Sequence, residues 1–377
     1  MARPVMTSSF SCCVSRYLGA AAAQTSFLYR YCRCNSTSVT RNSDDIIEAL
    51  SQPFRSLLYV PASNKRALEK LSSLQGSNKP DGIILDLEDG VIPSSKDSAR
   101  ENLVHYFQQR DDVNKKDRFH IVRINSVNTP WFAEDISAVV QIGSDVIDGI
   151  SLPKVEKWED VELISRELHN KSGDADDGAI ECDNFISTAS TTISPIPIWP
   201  MIETPRAILS SLSISSHPSI HGLLLGTNDL AKDLNLGQGG NNNKREGLVT
   251  SLQMTILAAR ANGKFVIDGV YNNFRDGDGL YQECIQGKTW GMDGKTLIHP
   301  NQVQTANEVF APSEKELEYA RRLIACWDDA KKSSKGQFSG VAVLDGVMVE
   351  ELHVKSARLL LGRAEKIAQM VKDGSIL

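Results

Sequence analysis

Short apolar runs recur through the middle of this sequence, and ionisable residues sit at or near the C-terminal end of most of them. Glu88 and Asp89 come after Gly82–Leu87, Arg123 lies in His120–Asn125, Lys154 in Gly149–Val155, and Glu203 ends Ile196–Glu203. Asp229 ends Gly222–Asp229, Asp268 lies in Phe265–Val270 and His299 in Thr296–Val303. Glu203 and Asp229 fall on consecutive runs. Two carboxylates are the usual protein share of a Mg²⁺ site, because Mg²⁺ demands octahedral oxygen and keeps several of its waters. No His/Cys pair has the spacing of a zinc site. Arg123 offers a planar fork that can clamp a carboxylate through two hydrogen bonds; its alternative role is an ion pair with Glu88 or Asp89. Asp229, followed by Leu230-Ala231-Lys232, has helix capping as its alternative role. Capping does not account for charged groups at so many run ends, and that repetition points to one shared site.

The elements that must position these groups are eight strand–helix units. The runs just named, with Ser56–Pro61 before them, make eight, each followed by an amphipathic stretch of helical period. Nearly continuous apolar strands alternating with helices imply a parallel sheet covered on its faces. Eight units over about 250 residues predict an α/β fold of the (β/α)8 TIM-barrel class, in which strand C-termini converge on one mouth. The barrel is placed at residues 50–311 and a C-terminal helical extension at 312–377, with helices over 313–332 and 351–372 flanking a loop over 333–349. Asn170–Ser194 and the Gly/Asn-rich Leu236–Gly247 are predicted surface inserts.

The composition fits such a domain. The 377 residues are 41% hydrophobic and carry 41 Lys+Arg against 47 Asp+Glu. No basic surplus suggests a nucleic-acid partner, and no apolar run is long enough for a membrane span. Residues 1–43 stand apart, with five arginines, no lysine or acidic residue, and twelve Ser or Thr. That is the composition of a mitochondrial transit peptide, which predicts a matrix location; a secretory signal is the rival, since Tyr17–Ala23 is mildly apolar, but that run is short and broken by Gly19. Seven cysteines, unevenly spaced, predict isolated reduced thiols rather than a disulfide framework. Gly287-Lys288-Thr289 and Gly294-Lys295-Thr296 imitate the end of a phosphate-binding loop, but each lacks the glycine five positions earlier.

A set of motifs, in order, carries a resemblance. Arg55-Ser56-Leu57-Leu58-Tyr59-Val60-Pro61-Ala62, Leu85-Asp86-Leu87-Glu88-Asp89-Gly90-Val91, Val122-Arg123-Ile124-Asn125 and Leu152-Pro153-Lys154 form its first half. Met201-Ile202-Glu203-Thr204-Pro205, Gly226-Thr227-Asn228-Asp229-Leu230, Ile267-Asp268-Gly269-Val270 and Ile298-His299-Pro300-Asn301-Gln302 form its second. Over about Arg55 to Arg363 the chain resembles the citrate lyase β-subunit-like (HpcH/HpaI aldolase/citrate lyase) family, including its mitochondrial citramalyl-CoA lyase-like members.

The resemblance implies a TIM barrel, Mg²⁺, a CoA-thioester substrate handled by Claisen-type chemistry, and a homotrimer or hexamer. By motif, Glu203 and Asp229 would ligate the metal, and Arg123 would bind the oxo-acid part of the substrate. Glu88 and Asp89 would support Arg123 and the metal waters, with Asp89 counted among the catalytic groups. Lys154 and Asp268 are expected to line the substrate site, and Arg66 to reach the CoA phosphates. Cleavage leaves a thioester enolate that a protein acid must protonate. In the family's lyase members that acid comes to a neighbouring subunit's site from a C-terminal Gly-x-Met-Val/Ile-Asp segment. Here the segment is Gly346-Val347-Met348-Val349-Glu350, so Glu stands where the family has Asp.

The extra methylene adds roughly 1.5 Å of reach, and misplacement by about 1 Å can cost on the order of a hundredfold in rate. Glu350 is therefore an acid/base in a reshaped site, a fit to a different acyl-CoA, or the start of the last helix. His353, one turn on, reads as a helix-surface residue. The expected activity is an Mg²⁺-dependent acyl-CoA lyase of the citramalyl-CoA or malyl-CoA type. A malyl-CoA thioesterase or malate synthase-like enzyme and a non-catalytic CoA-binding subunit are the alternatives.

Overall fold

The computed structural model describes residues 51–109, 118–172, 192, 194–236, 243–334 and 338–373. The predicted transit peptide, most of the Asn170–Ser194 insert and the middle of Leu236–Gly247 lie outside the described residues.

Eight parallel strands close into a barrel: β1 (Ser56–Pro61), β2 (Gly82–Asp86), β3 (Phe119–Arg123), β4 (Gly149–Leu152), β5 (Ile198–Ile202), β6 (Gly222–Leu225), β7 (Phe265–Asp268) and β8 (Gly294–Leu297). Strand β8 pairs in parallel with β1, which seals the ring. The helices between them are α1 (Lys65–Lys70), α2 (Lys96–Gln108), α3 (Phe132–Ile142), α4 (Trp158–Ser172), α5 (Pro205–Ser215), α6 (Thr227–Asp233), α7 (Asn243–Ala261), α8 (Gly277–Trp290) and α9 (Val303–Phe310). Several strands stop short of the apolar runs that announced them, because the polar residues at the run ends turn the chain. Glu88, Lys154, Glu203, Asp229 and His299 therefore sit in loops or helix starts beyond the strands. The last run shifts most: its second half becomes a short 3₁₀ turn at Pro300–Gln302.

Period-two alternation divides the apolar residues into two cores. Leu57, Ile84, Ile121, Trp199, Met201, Leu224, Phe265 and Ile267 fill the barrel interior with Phe54. Their neighbours in sequence, among them Leu58, Ile83, Leu85, Val122, Ile150, Leu223 and Val266, belong to the larger core under the helices. At the base, the Phe54 ring lies 5.0 Å from Trp199, 4.9 Å from Phe265 and 5.7 Å from His221, in edge-on contacts that plug that end. Truncating the fully buried Trp199 to Ala would cost about 3–5 kcal/mol.

The extension contains α10 (Glu314–Ser333), which Ser313 and Glu316 start with a capping box, and α11 (Glu351–Asp373). Where a loop was expected between them, an antiparallel hairpin forms from β9 (Val341–Leu344) and β10 (Val347–Glu350). Its turn residues Asp345 and Gly346 both have positive φ, 52° and 79°, as a two-residue hairpin of this hand requires. Hairpin and helices share a small core of their own that includes Leu323, Trp327, Val349 and Val354. Arg363 reaches Asp293 at 3.3 Å and Lys366 reaches Gln52 at 3.4 Å. Asp293 and Gln52 precede β8 and β1, so these contacts anchor α11 on the face opposite the mouth. Among the described residues no helix is long and apolar enough to cross a membrane, and Cys284 and Cys326 are free thiols.

Candidate active site

The alternation that sorts the core also selects which polar residues meet. Counting in twos from the inward Ile84, Ile121 and Trp199 leads to Asp86, Glu88, Arg123 and Glu203 at the strand ends, all aimed at the mouth. Arg123 donates from Nε to Asp86 Oδ1 at 2.7 Å and from Nη2 to Asp86 Oδ2 at 2.6 Å, and its Nη1 lies 2.8 Å from Glu88 Oε2. The Asp86 carboxylate also accepts from the backbone N–H of Glu88 at 2.8 Å and of Gly90 at 2.9 Å. Tyr59, inward on β1, forms the floor: the guanidinium carbon stands 4.8 Å from its ring centroid. Burial opposes the charge on Arg123, but Asp86, Tyr59 and Glu88 outweigh it and hold the guanidinium charged well above its ordinary range.

Glu203 is buried, and its Oε1 accepts the backbone N–H of Lys154 at 2.6 Å. That N–H is aimed by an unusual backbone: Lys154 has φ of 55°, a left-handed conformation in a residue other than glycine. On the other side, a Cβ at Gly226 would come within 2.5 Å of Glu203 Oε2 and closer still to its Cβ, so only glycine lets β6 pass here. Burial, and then the charges of Glu88 and Asp229, push the Glu203 carboxyl up to about 8. Burial likewise raises Glu88, against the pull of Arg123. The Lys154 ammonium lies 3.6 Å from Glu88 Oε1.

Asp229 does not cap its helix. Gly226 holds the cap position of α6, and Asp229 lies inside the first turn, close enough to raise the Glu203 carboxyl. Around the mouth, Asp86, Glu88, Asp89, Glu203 and Asp229 face Arg123 and Lys154, a clear surplus of negative charge. Among the described residues no three His, Cys, Asp or Glu side chains converge as a ready cage. All-oxygen donors, few of them protein and gathered in an acidic well, fit a hydrated Mg²⁺ better than a metal that needs an all-protein cage.

The remaining predicted site residues are placed differently. Asp89 is exposed at the rim, and so is Arg66, on α1 after β1. Asp268 is not on the mouth at all. It follows the inward Ile267 by one residue, so its side chain points outward under the helices, fully buried between Arg245 and Lys295. Glu350 ends β10, and its backbone N–H donates to His353 Nδ1 at 2.9 Å. Its distance along α11 to the Arg363 anchor is about 20 Å at 1.5 Å per residue. In a single chain it does not join the mouth cluster.

Two residues of the site were not among those singled out in the sequence. Asp86 was hidden between apolar neighbours, yet the alternation Ile84, Asp86, Glu88 places it on the mouth face. Tyr59 in Ser56–Pro61 has the look of an ordinary core aromatic.

Comparison with known proteins agrees with this architecture. Residues 55–300 match the family model described as HpcH/HpaI aldolase/citrate lyase. A (3S)-malyl-CoA thioesterase of Cereibacter sphaeroides is 40% identical over 318 residues, covering 84% of this chain and 97% of that protein. The L-malyl-CoA/beta-methylmalyl-CoA lyase of the same organism is 30% identical over 333 residues, covering 84% and 96%. Among solved structures, CitE from Mycobacterium tuberculosis in complex with magnesium, acetoacetate and coenzyme A has a TM-score of 0.59 at 24% identity, covering 84% of this chain and 99% of its own; that likeness speaks for the fold alone. With the match spanning the barrel from β1 to the turn after β8, this chain belongs to the HpcH/HpaI aldolase/citrate lyase family.

Proposed function

We propose that this protein is an Mg²⁺-dependent lyase that cleaves a 3-hydroxyacyl-CoA of the citramalyl-CoA or malyl-CoA type. The products are acetyl-CoA, or propionyl-CoA, and a 2-oxo acid, and the setting is the mitochondrial matrix. The observation that carries this reading is the acidic mouth, with a buried Glu203 whose carboxyl is pushed up to about 8 beside Glu88 and Asp229. A divalent cation relieves that repulsion. Glu203 and Asp229 would hold it, and Mg²⁺ bound there would polarise a substrate oxygen as a Lewis acid. Arg123, fixed by Asp86 and Glu88 and placed over the Tyr59 ring, orients the carboxylate end of the substrate. Lys154 places a second cation at the rim, and Arg66, exposed at the start of α1, would reach the CoA phosphates. The location rests on the composition of residues 1–43.

Protonation of the departing acyl carbon is assigned to Glu350 of a neighbouring subunit in a homotrimer or hexamer. Two features support this. The arm bearing Glu350 is anchored away from its own mouth, and its hairpin exposes Val343, Val347 and Met348, between 56% and 64% accessible in the single chain.

A thioesterase is the second reading, favoured by the 40% identity to (3S)-malyl-CoA thioesterase. The two activities start from the same substrate and differ in the bond that breaks. Incubating the chain from Asp44 with citramalyl-CoA, malyl-CoA and β-methylmalyl-CoA, with Mg²⁺ or with EDTA, separates them. Acyl-CoA plus a 2-oxo acid establishes the lyase. Free CoA plus the hydroxy acid establishes the thioesterase. No turnover with metal present overturns both enzyme readings for these substrates and puts the non-catalytic CoA-binding subunit first.

A further inference from the structure

The β7 turn lies between a buried cluster of charges behind the barrel wall, which the proposed function leaves unused, and the short helix that carries Asp229. Lys295, fully buried, spends all three of its donors, on Asp268 Oδ2 at 3.0 Å, Glu283 Oε1 at 2.5 Å and the Gly269 carbonyl at 2.6 Å. Arg245 grips Asp268 with both terminal nitrogens, at 3.1 and 2.9 Å. Asp268 Oδ1 in turn accepts the Gly269 N–H at 2.9 Å. Burial opposes ionisation of Asp268, but Lys295 and Arg245 outweigh it and hold the carboxyl below its usual range. Two cations and two anions are balanced here, and both polar backbone groups of Gly269 are taken by side chains. Buried ion networks of this kind add little net stability, so what they supply is a fixed arrangement.

That arrangement is applied to α6. Gly269 packs so closely on Thr227 that a Cβ would come within 2.6 Å of Thr227 Cγ2, closer still to its Oγ1, and within 2.9 Å of the Leu225 carbonyl. Three residues on, Asn272 and Asn228 exchange side-chain hydrogen bonds at 3.1 and 2.7 Å. The Tyr271 carbonyl is held by Gln302 at 2.9 Å. Thr227 and Asn228 are the two residues before Asp229, on a helix of seven residues without a side-chain cap.

We propose that Gly269 and Asn272, on the β7 turn fixed by Asp268 and Lys295, are positioning residues for Asp229, acting through the Gly269–Thr227 packing and the Asn272–Asn228 amide pair. This rests on the reading of Glu203 and Asp229 as the metal site. Outer supports of metal ligands, when removed, typically lower metal affinity on the order of tenfold or more.

The test is Mn²⁺ binding to the metal-free protein, followed by the electron paramagnetic resonance signal of free Mn²⁺, with circular dichroism as the check on folding. Gly269→Ala should weaken Mn²⁺ about tenfold or more, and Thr227→Ala alone should stay near wild type. The double variant should recover part of the loss, because removing the Thr227 hydroxyl and methyl relieves two of the three close contacts and leaves the one to the Leu225 carbonyl. Asn272→Ala, a surface change that leaves the core untouched, should weaken Mn²⁺ several-fold without lowering the melting temperature. Folded Gly269→Ala and Asn272→Ala proteins that bind Mn²⁺ like wild type overturn the proposal. A wild-type protein that binds no Mn²⁺ removes the metal reading itself, and the positioning role with it.

Discussion

Arg123 and Asp86 meet through two parallel hydrogen bonds, 2.7 and 2.6 Å long, between the ends of neighbouring strands β3 and β2. The pairing holds the guanidinium in place, because Asp86 is itself held by two backbone N–H groups and the guanidinium carbon stands over the Tyr59 ring. Under the proposed reaction Arg123 is oriented before the substrate arrives, and little ordering cost would remain for it on binding a carboxylate.

Replacing Asp86 by Ala should cost more than a contact. It leaves the Arg123 charge buried with Glu88 as its remaining close partner, a loss of about 3–5 kcal/mol. Urea unfolding measures it. Arg123→Lys keeps the charge but loses the fork, and kcat/KM should fall by about a hundredfold or more with the fold intact.

Lys154 separates backbone from side chain. Both Lys154→Gly and Lys154→Ala remove the ammonium, but only glycine is at ease at a φ of 55°. The Gly variant should be more stable than the Ala variant by about 1 kcal/mol, while steady-state kinetics show the same loss in both. Equal stabilities would mean that the left-handed turn relaxes without cost.

Glu203→Gln removes the metal-side charge and should abolish the response of activity to added Mg²⁺. Glu350→Ala should lose activity by more than tenfold. Mixed and reassembled, the two inactive proteins should regain activity toward about a quarter of wild type, since a random mixture pairs an intact barrel with an intact arm in that share of sites. Two chains that stay inactive together would confine Glu350 to its own subunit or to no role.

Acid should destabilise the protein through His221. Burial holds this imidazole down to about 3, from an ordinary value of 6.5. Below 6.5 the unfolded chain takes up the proton and the folded one does not, so stability falls as pH drops from 6.5 toward 3. The loss is on the order of 3–5 kcal/mol over that window. His221→Phe, within the same ring cluster, should flatten the slope in thermal melts at pH 7 and 4. His217, also lowered by burial, should leave a residual slope.

Much of the architecture is legible in the chain because a parallel barrel buries both faces of each strand and so writes its strands as apolar runs. Eight runs yield eight strands, although the polar run ends turn out to be loops. The site is legible only in part, because its membership is decided by parity. Glu88, Arg123 and Glu203 fall an even number of residues from an inward core position. Asp268 falls an odd number, and a residue that looks equivalent in the sequence ends up behind the wall. The hairpin of the extension carries its own signal, Asp345-Gly346 between Val-Ala-Val-Leu and Val-Met-Val-Glu. Its strands are apolar on the exposed side as well, so the alternation that marks a half-buried strand is missing. The family model ends at residue 300, before the arm begins.

The ring cluster at the base gives the barrel one further property. With Phe54, Trp199 and Phe265 filling that end, the well is blind, and whatever enters must leave by the same opening. A CoA thioester is too long to descend beyond its acyl end, so under the proposed reaction the 2-oxo acid is formed beneath the thioester fragment. The nucleotide-bearing product then blocks the exit and must depart first. Release is ordered by traffic in a cul-de-sac, and the small acid, last out, is the product that competes with incoming substrate for the empty enzyme.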